Sequence, residues 1–165
     1  MGSGDLQDQL TKHIDEAVAM EQDVLRMLDS MIETTEDEQI KSELQAHKLE
    51  TERQSARLRE RLEAHGEQPS VVREAGGVMG ALMKSVVDIA RSEKAGRNAR
   101  DGYATEHMEI ASYQLLERIA QRAGDEATAD VARQNRAEEE AMAKWLDKHW
   151  DRFADLSLRD AGVTA

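Results

Sequence analysis

The stretch Tyr103-Ala-Thr-Glu-His-Met-Glu-Ile-Ala-Ser-Tyr113-Gln-Leu-Leu constrains this chain more than any other. It contains no helix breaker. Glu106, Glu109, Tyr113, Leu116 and Ala120 recur at steps of three and four, so a helix places them on one face. Ile110 and Ile119 flank the apolar side of that face. Two carboxylates therefore lie on a stripe that should be buried, and an ionised carboxylate in an apolar core is costly unless cations or hydrogen bonds compensate it. Any fold must resolve this conflict, which recurs on three other segments.

The first of these segments reads as a helix over residues 5–33, with Leu6, Leu10, Ile14, Val18, Leu25, Leu28 and Ile32 on one stripe and Glu21 among them. Thr34-Thr35-Glu36-Asp37-Glu38 reads as a tight turn, with Thr35 capping the next helix and Glu38 completing a capping box. A second helix is expected over 36–65. Its stripe of Ile40, Leu44, Leu58 and Leu62 is broken in the middle by His47, Glu50 and Gln54, and His65-Gly66 with Pro69 stops it. The third helix is expected over 101–123, and the Lys94–Gly102 segment before it reads either as a loosened or kinked stretch or as continuous helix. The fourth is expected over 126–153, capped by Asp125, with Ala132, Asn135, Glu139, Met142, Leu146, Trp150 and Phe153 on its stripe.

Short turns make helices one and two one antiparallel hairpin, and helices three and four another. Residues 66–100 form a long crossover, in which Val78, Leu82, Val86 and Ile89 mark a short extra helix. With one proline and five residues of Phe, Trp or Tyr, the composition favours helix over sheet. The expected fold is all-α: two antiparallel hairpins joined by a long crossover. Residues 1–4 read as a tag-like start, 5–153 as the bundle and 154–165 as a tail that packs on its end or frays.

The hairpins repeat each other. Ala19-Met20-Glu21 echoes His107-Met108-Glu109, and Leu49-Glu50-Thr51 echoes Glu138-Glu139-Glu140, so four mid-helix carboxylates meet at one level. Carboxylates with an imidazole suit Fe(II), Mn(II) or Zn(II). Glu21 and Glu109 read as single ligands and Glu50 and Glu139 as bridging ones. Arg53 and Met142 stand where the four-helix di-iron pattern has histidine, and His47 and Glu106, each three residues before a glutamate, complete the set, with Gln54 further out. Tyr113 reads most simply as a core aromatic with its hydroxyl hydrogen-bonded, the other reading being support of a glutamate.

The net charge of −12 disfavours nucleic acid and anionic membranes as partners, and no apolar run is long enough to cross a bilayer. There is no cysteine, hence no disulfide or thiolate metal site, which agrees with a cytoplasmic location. Neither a paired nucleophile nor a phosphate-binding glycine loop is present.

The pieces Glu21-Gln22, His47-x-x-Glu50-Thr51, Glu106-His-Met-Glu109-Ile-Ala-Ser-Tyr113 and Ala137-Glu-Glu139 resemble the bacterial YciE/YciF stress-protein group, over residues 5–153. The resemblance implies a ferritin-like, rubrerythrin-like four-helix bundle, cytoplasmic and dimeric, with a di-iron centre. It implies Glu21, His47, Glu50, Glu106, Glu109 and Glu139 as ligands. With iron bound, the partners would be dioxygen or peroxide in ferroxidase or peroxidase chemistry. The alternative is a scaffold, metal-free or structurally metallated, that dimerises and acts by binding a partner.

Overall fold

A computed structural model describes residues 3–70 and 94–163. The short helix expected over 78–89 and the glycines at 76, 77 and 80 lie outside the described residues. Five helices are described: α1 (Ser3–Thr34), α2 (Glu38–Ala64), α3 (Lys94–Ala123), α4 (Glu126–Asp147) and α5 (Trp150–Asp160). α1 packs on α2 and α3, α4 packs on α2 and α3, and α5 lies against α3.

Contacts along the helices fix their directions. Gln7 reaches the Ala123 carbonyl at 3.2 Å at one end of α1, and Asn98 reaches Thr34 at 3.4 Å at the other, so α1 and α3 are antiparallel. Arg57 meets Glu138 and Arg61 meets Asp125, so α2 and α4 also run in opposite directions. The result is a four-helix bundle with one apolar cluster on each side of mid-height. One cluster contains Val24, Met27, Leu44, Met142 and Leu146; the other contains Leu10, Ile14, Leu58, Tyr113 and Leu116.

The helix ends differ from the sequence reading in three places. Asp37 rather than Thr35 caps α2, accepting from the backbone N–H groups of Gln39 and Ile40 at 3.1 Å each. The Thr35 hydroxyl is engaged elsewhere, donating to the Met31 carbonyl at 2.6 Å and so serving the end of α1. Asp125 caps α4 as expected, accepting from the Thr128 N–H at 3.0 Å. The preceding Gly124, at φ 74°, lets Asp125 N–H reach back to Ala120 O at 2.9 Å, a helix stop that needs a left-handed residue.

The second difference is the start of α3, at Lys94 rather than near residue 101: of the two readings left open for this segment, the helix takes the continuous one and runs unbroken through Gly96 and Gly102. Gly96 stays helical because α5 sits against it. Its N–H donates to Ser157 Oγ at 2.9 Å, and a Cβ there would collide with that oxygen. An added Cβ at Gly102 would meet only Leu146 and Met31, at 3.8 and 3.9 Å. The two glycines should therefore respond oppositely to alanine. Gly102→Ala is expected to stabilise by about 0.5–1 kcal/mol, because glycine costs a helix entropy. Gly96→Ala is expected to destabilise by about 1–2 kcal/mol through loss of the Ser157 contact. Urea midpoints of the two variants check this, and a shift of the same sign in both would contradict it.

The third difference is at the end of the fourth helix. The apolar stripe continues through Trp150 and Phe153, but the helix closes at Asp147. There His149 N–H bonds Leu146 O, one residue tighter than an α-helical bond, while its ring Nδ1–H donates to Trp145 O at 2.7 Å. After this short turn α5 continues along the start of α3 and buries Phe153 and Leu156 against the bundle end, so much of the expected tail is a packed helix.

Candidate metal centre

The acidic residues singled out in the sequence meet between the two apolar clusters. Glu21 on α1, Glu109 on α3 and Glu139 on α4 are fully buried, and His47 on α2 and Glu106 on α3 are each 2% exposed. His47 Nε2 lies 3.3 Å from Glu106 Oε1 and 3.5 Å from Glu139 Oε2. Two sets have ligand atoms within 4.8 Å of one another: His47, Glu106 and Glu139, and Glu21, Glu109 and Glu139. Glu139 belongs to both.

Glu50 stands apart. Its side chain is 39% exposed and contacts the outer nitrogen of the imidazole, His47 Nδ1, at 3.4 Å. The reason is angular. The buried line of α2 is His47, Thr51, Gln54 and Leu58, and at 100° per residue Glu50 falls roughly 60° off the direction of His47. The structure thus leaves Glu50 outside the grouping that the repeat suggested.

Burial raises the Glu21 carboxyl to about 8, although the Tyr113 hydroxyl pulls it the other way. Burial, with Glu106 close by, pushes Glu139 up to about 10. Glu109 is raised well above the usual carboxylate range by burial and by Glu139 and Glu21. Burial alone would lower His47, but the Glu106 and Glu139 carboxylates and the contact with Glu50 raise it well above 6.5. Each shift favours bound protons, the response of buried anions crowded together with too little countercharge.

Hydrogen bonding shows the same deficit. Six buried carboxylate oxygens of the cluster have no hydrogen-bond partner: Glu21 Oε2, Glu106 Oε2 and both oxygens of Glu109 and Glu139. Buried polar atoms are rarely left so. The side-chain amide of Gln54, fully buried, is also unpartnered. Carboxylate oxygens with one imidazole nitrogen are the donor set of iron, manganese or zinc, so these residues could hold a divalent metal.

Sequence reasoning gave no site role to two residues that hold the cluster from outside. Arg57 donates to Asn135 Oδ1 at 2.7 Å, Asn135 Nδ2 donates to the Tyr113 hydroxyl at 3.1 Å, and Tyr113 donates to Glu21 Oε1. Asn135 carried a signal, as a polar residue on the buried stripe of α4. Arg57 carried none, since one more arginine on a charged helix is unremarkable until its partner across the bundle is known.

The same fold occurs in solved structures. A protein of Xanthomonas campestris pv. campestris matches with TM-score 0.80 and 26% identity, over 96% of this chain and 99% of its own. The E. coli stress protein YciF matches with TM-score 0.75 and 21% identity, over 92% and 96%. Desulfovibrio desulfuricans bacterioferritin, described with a diiron site, matches with TM-score 0.77 and 16% identity, over 95% and 86%. No curated protein sequence matches significantly. The model of the family described as Domain of unknown function (DUF892) matches residues 5–159. The resemblance to the YciF group and the two-hairpin bundle thus lead to one conclusion: this chain belongs to the DUF892 family and has a ferritin-like fold.

Proposed function

We propose that the bundle holds two divalent metal ions. His47, Glu106 and Glu139 hold one, Glu21, Glu109 and Glu139 hold the other, and Glu139 is shared. The native ions are iron, and the protein consumes dioxygen or peroxide in ferroxidase or peroxidase-type protection. The observation that carries this reading is the set of six partnerless carboxylate oxygens between two apolar layers. Four glutamates balance two dications, whereas His47, the cation placed among them, offsets one carboxylate at most. The diiron site of the bacterioferritin neighbour supports iron as the ion.

Iron, when bound, supplies one-electron redox chemistry. The chain supplies position and dryness. Glu50 accepts from His47 Nδ1–H, which leaves Nε2 as the free lone pair facing Glu106 and Glu139. The Arg57–Asn135–Tyr113 chain fixes one oxygen of Glu21 and leaves the other for the cluster. The apolar residues above and below exclude water.

Metal analysis of three variants tests the assignment. Wild-type protein loaded with Fe(II) without oxygen should carry two ions per chain. Glu139→Ala should lose both and Glu21→Gln only one. Glu50→Ala should keep both, with affinity weakened about tenfold, the scale for a group that orients a ligand. Unchanged metal content in Glu139→Ala, or no uptake by wild type, would refute the site.

A further inference from the structure

Beside the metal cluster lies a cavity that shares one residue with it, Glu106, and whose remaining lining the proposed chemistry does not use. It has a volume of about 320 Å³ and opens at the bundle end where the α1–α2 turn, the start of α3 and α5 meet. That size falls within the range of small-molecule pockets. Its walls are apolar, formed by residues such as Met27, Met31, Leu44, Met142, Leu146 and Phe153. Its floor is Glu106, whose Oε2 is buried without a partner. Lys94 at the mouth and Glu106 at the floor stand on the same helix, at positions roughly 18 Å apart along its axis.

Shape, lining and charge together select a ligand class. A deep apolar sleeve accepts a linear aliphatic chain. The partnerless oxygen at the floor accepts a hydrogen bond, so the buried end of the ligand needs an N–H or O–H donor, and of these a hydroxyl enters an apolar sleeve uncharged where an alkylamine would carry its charge in. At the mouth, Glu36 and Asp160 outnumber Lys94, and Asp37 is held by Arg152. That balance, on a chain of net charge −12, disfavours an anionic head group. Gly102 forms part of the wall: a Cβ there would point between Leu146 and Met31, both of which line the cavity.

We propose that this cavity binds an uncharged medium-chain aliphatic alcohol, tail along the Met- and Leu-lined wall and hydroxyl directed to Glu106. The proposal rests on the metal reading only for what the hydroxyl faces when the cluster is loaded, since binding to the metal-free protein needs no ion.

The test is calorimetric titration of metal-free protein with n-decanol, with n-hexanol and decanoate as comparisons. Decanol should bind one per chain. Hexanol, four methylenes shorter, should bind roughly a hundredfold more weakly, and decanoate at least tenfold more weakly. Gly102→Leu and Ala99→Leu, which fill the sleeve from α3, should each weaken decanol at least tenfold while keeping a cooperative melt. Absence of decanol binding to wild type, decanoate binding tighter than decanol, or a folded filled variant that binds as wild type would each overturn the proposal. Fe(II) uptake is measured on the same samples. Decanol binding without metal uptake upholds the cavity and refutes the metal site; metal uptake without decanol binding does the reverse.

Discussion

Adding Fe(II) without oxygen, Mn(II) or Zn(II) to the metal-free protein is expected to raise its thermal midpoint by roughly 10–20 °C. At a free ion concentration about a hundred times the dissociation constant, one site contributes about 2.7 kcal/mol, and two sites about 5 kcal/mol. For a chain of 165 residues, each kcal/mol moves the midpoint by about 2–4 °C. The effect should be large because the ions relieve a defect already present in the fold. Glu21, Glu109 and Glu139 are fully buried with oxygens that no donor reaches. Glu139→Ala should abolish most of the shift and make the metal-free protein more stable than its parent, because one of four crowded carboxylates is gone. Melts with each ion and with a chelator decide the matter. A midpoint unmoved by all three ions at hundredfold excess would remove the metal centre and leave the scaffold reading in its place.

The pH dependence of the metal-free protein is the second large effect. Glu21 is raised to about 8, Glu139 to about 10, and Glu109 and His47 are raised as well. A group whose folded value lies above its unfolded one contributes stability that is complete below the unfolded value and is lost as pH rises through the folded value. For the glutamates the loss therefore begins near the ordinary 4.5 and continues to about 8 at Glu21 and about 10 at Glu139. Asp37, Glu117 and Asp125 are lowered, despite burial acting the other way, by hydrogen bonds and by Arg152, by Arg133 and Arg136, and by Thr128, His65 and Arg61 respectively. Their contribution is present above about pH 4 and lost below it. The two sets oppose each other only in acid. The metal-free protein should be most stable near pH 5 and lose about 2–4 kcal/mol by pH 8.5, or roughly 5–15 °C in midpoint. Metal should reverse the slope, because ions compete with protons for the same oxygens and win more easily as pH rises. Melts in chelator from pH 4 to 9 test this. A midpoint that stays level or climbs between pH 5 and 8.5 would mean that these carboxylates do not titrate as a buried cluster.

Much of the bundle was legible because helical periodicity is a local property. The stripe of α3 places Glu109, Tyr113 and Leu116 inside whatever packs against them, and all three are buried. The caps were less legible because they depend on competition. Thr35 and Asp37 can both cap α2, and the choice went to Asp37 once the Thr35 hydroxyl had the Met31 carbonyl within reach. The end of the fourth helix was hidden for a similar reason. No proline or glycine marks the turn at His149, and the break is sustained by α5 burying Phe153 and Leu156 on the bundle end.

By itself the sequence determined the helical class, the pairing into hairpins, and the presence of acidic residues on faces that must be buried. These follow from spacing along single helices, which the chain carries wherever it packs. The tertiary structure alone decided which acids meet. It left Glu50 partly exposed against the outer nitrogen of His47, brought Glu139 within reach of both groups of buried acids, and drew Arg57 and Asn135 into the support of Glu21. Those outcomes depend on the rotation and height of one helix against another, and a period of three to four residues leaves both undetermined.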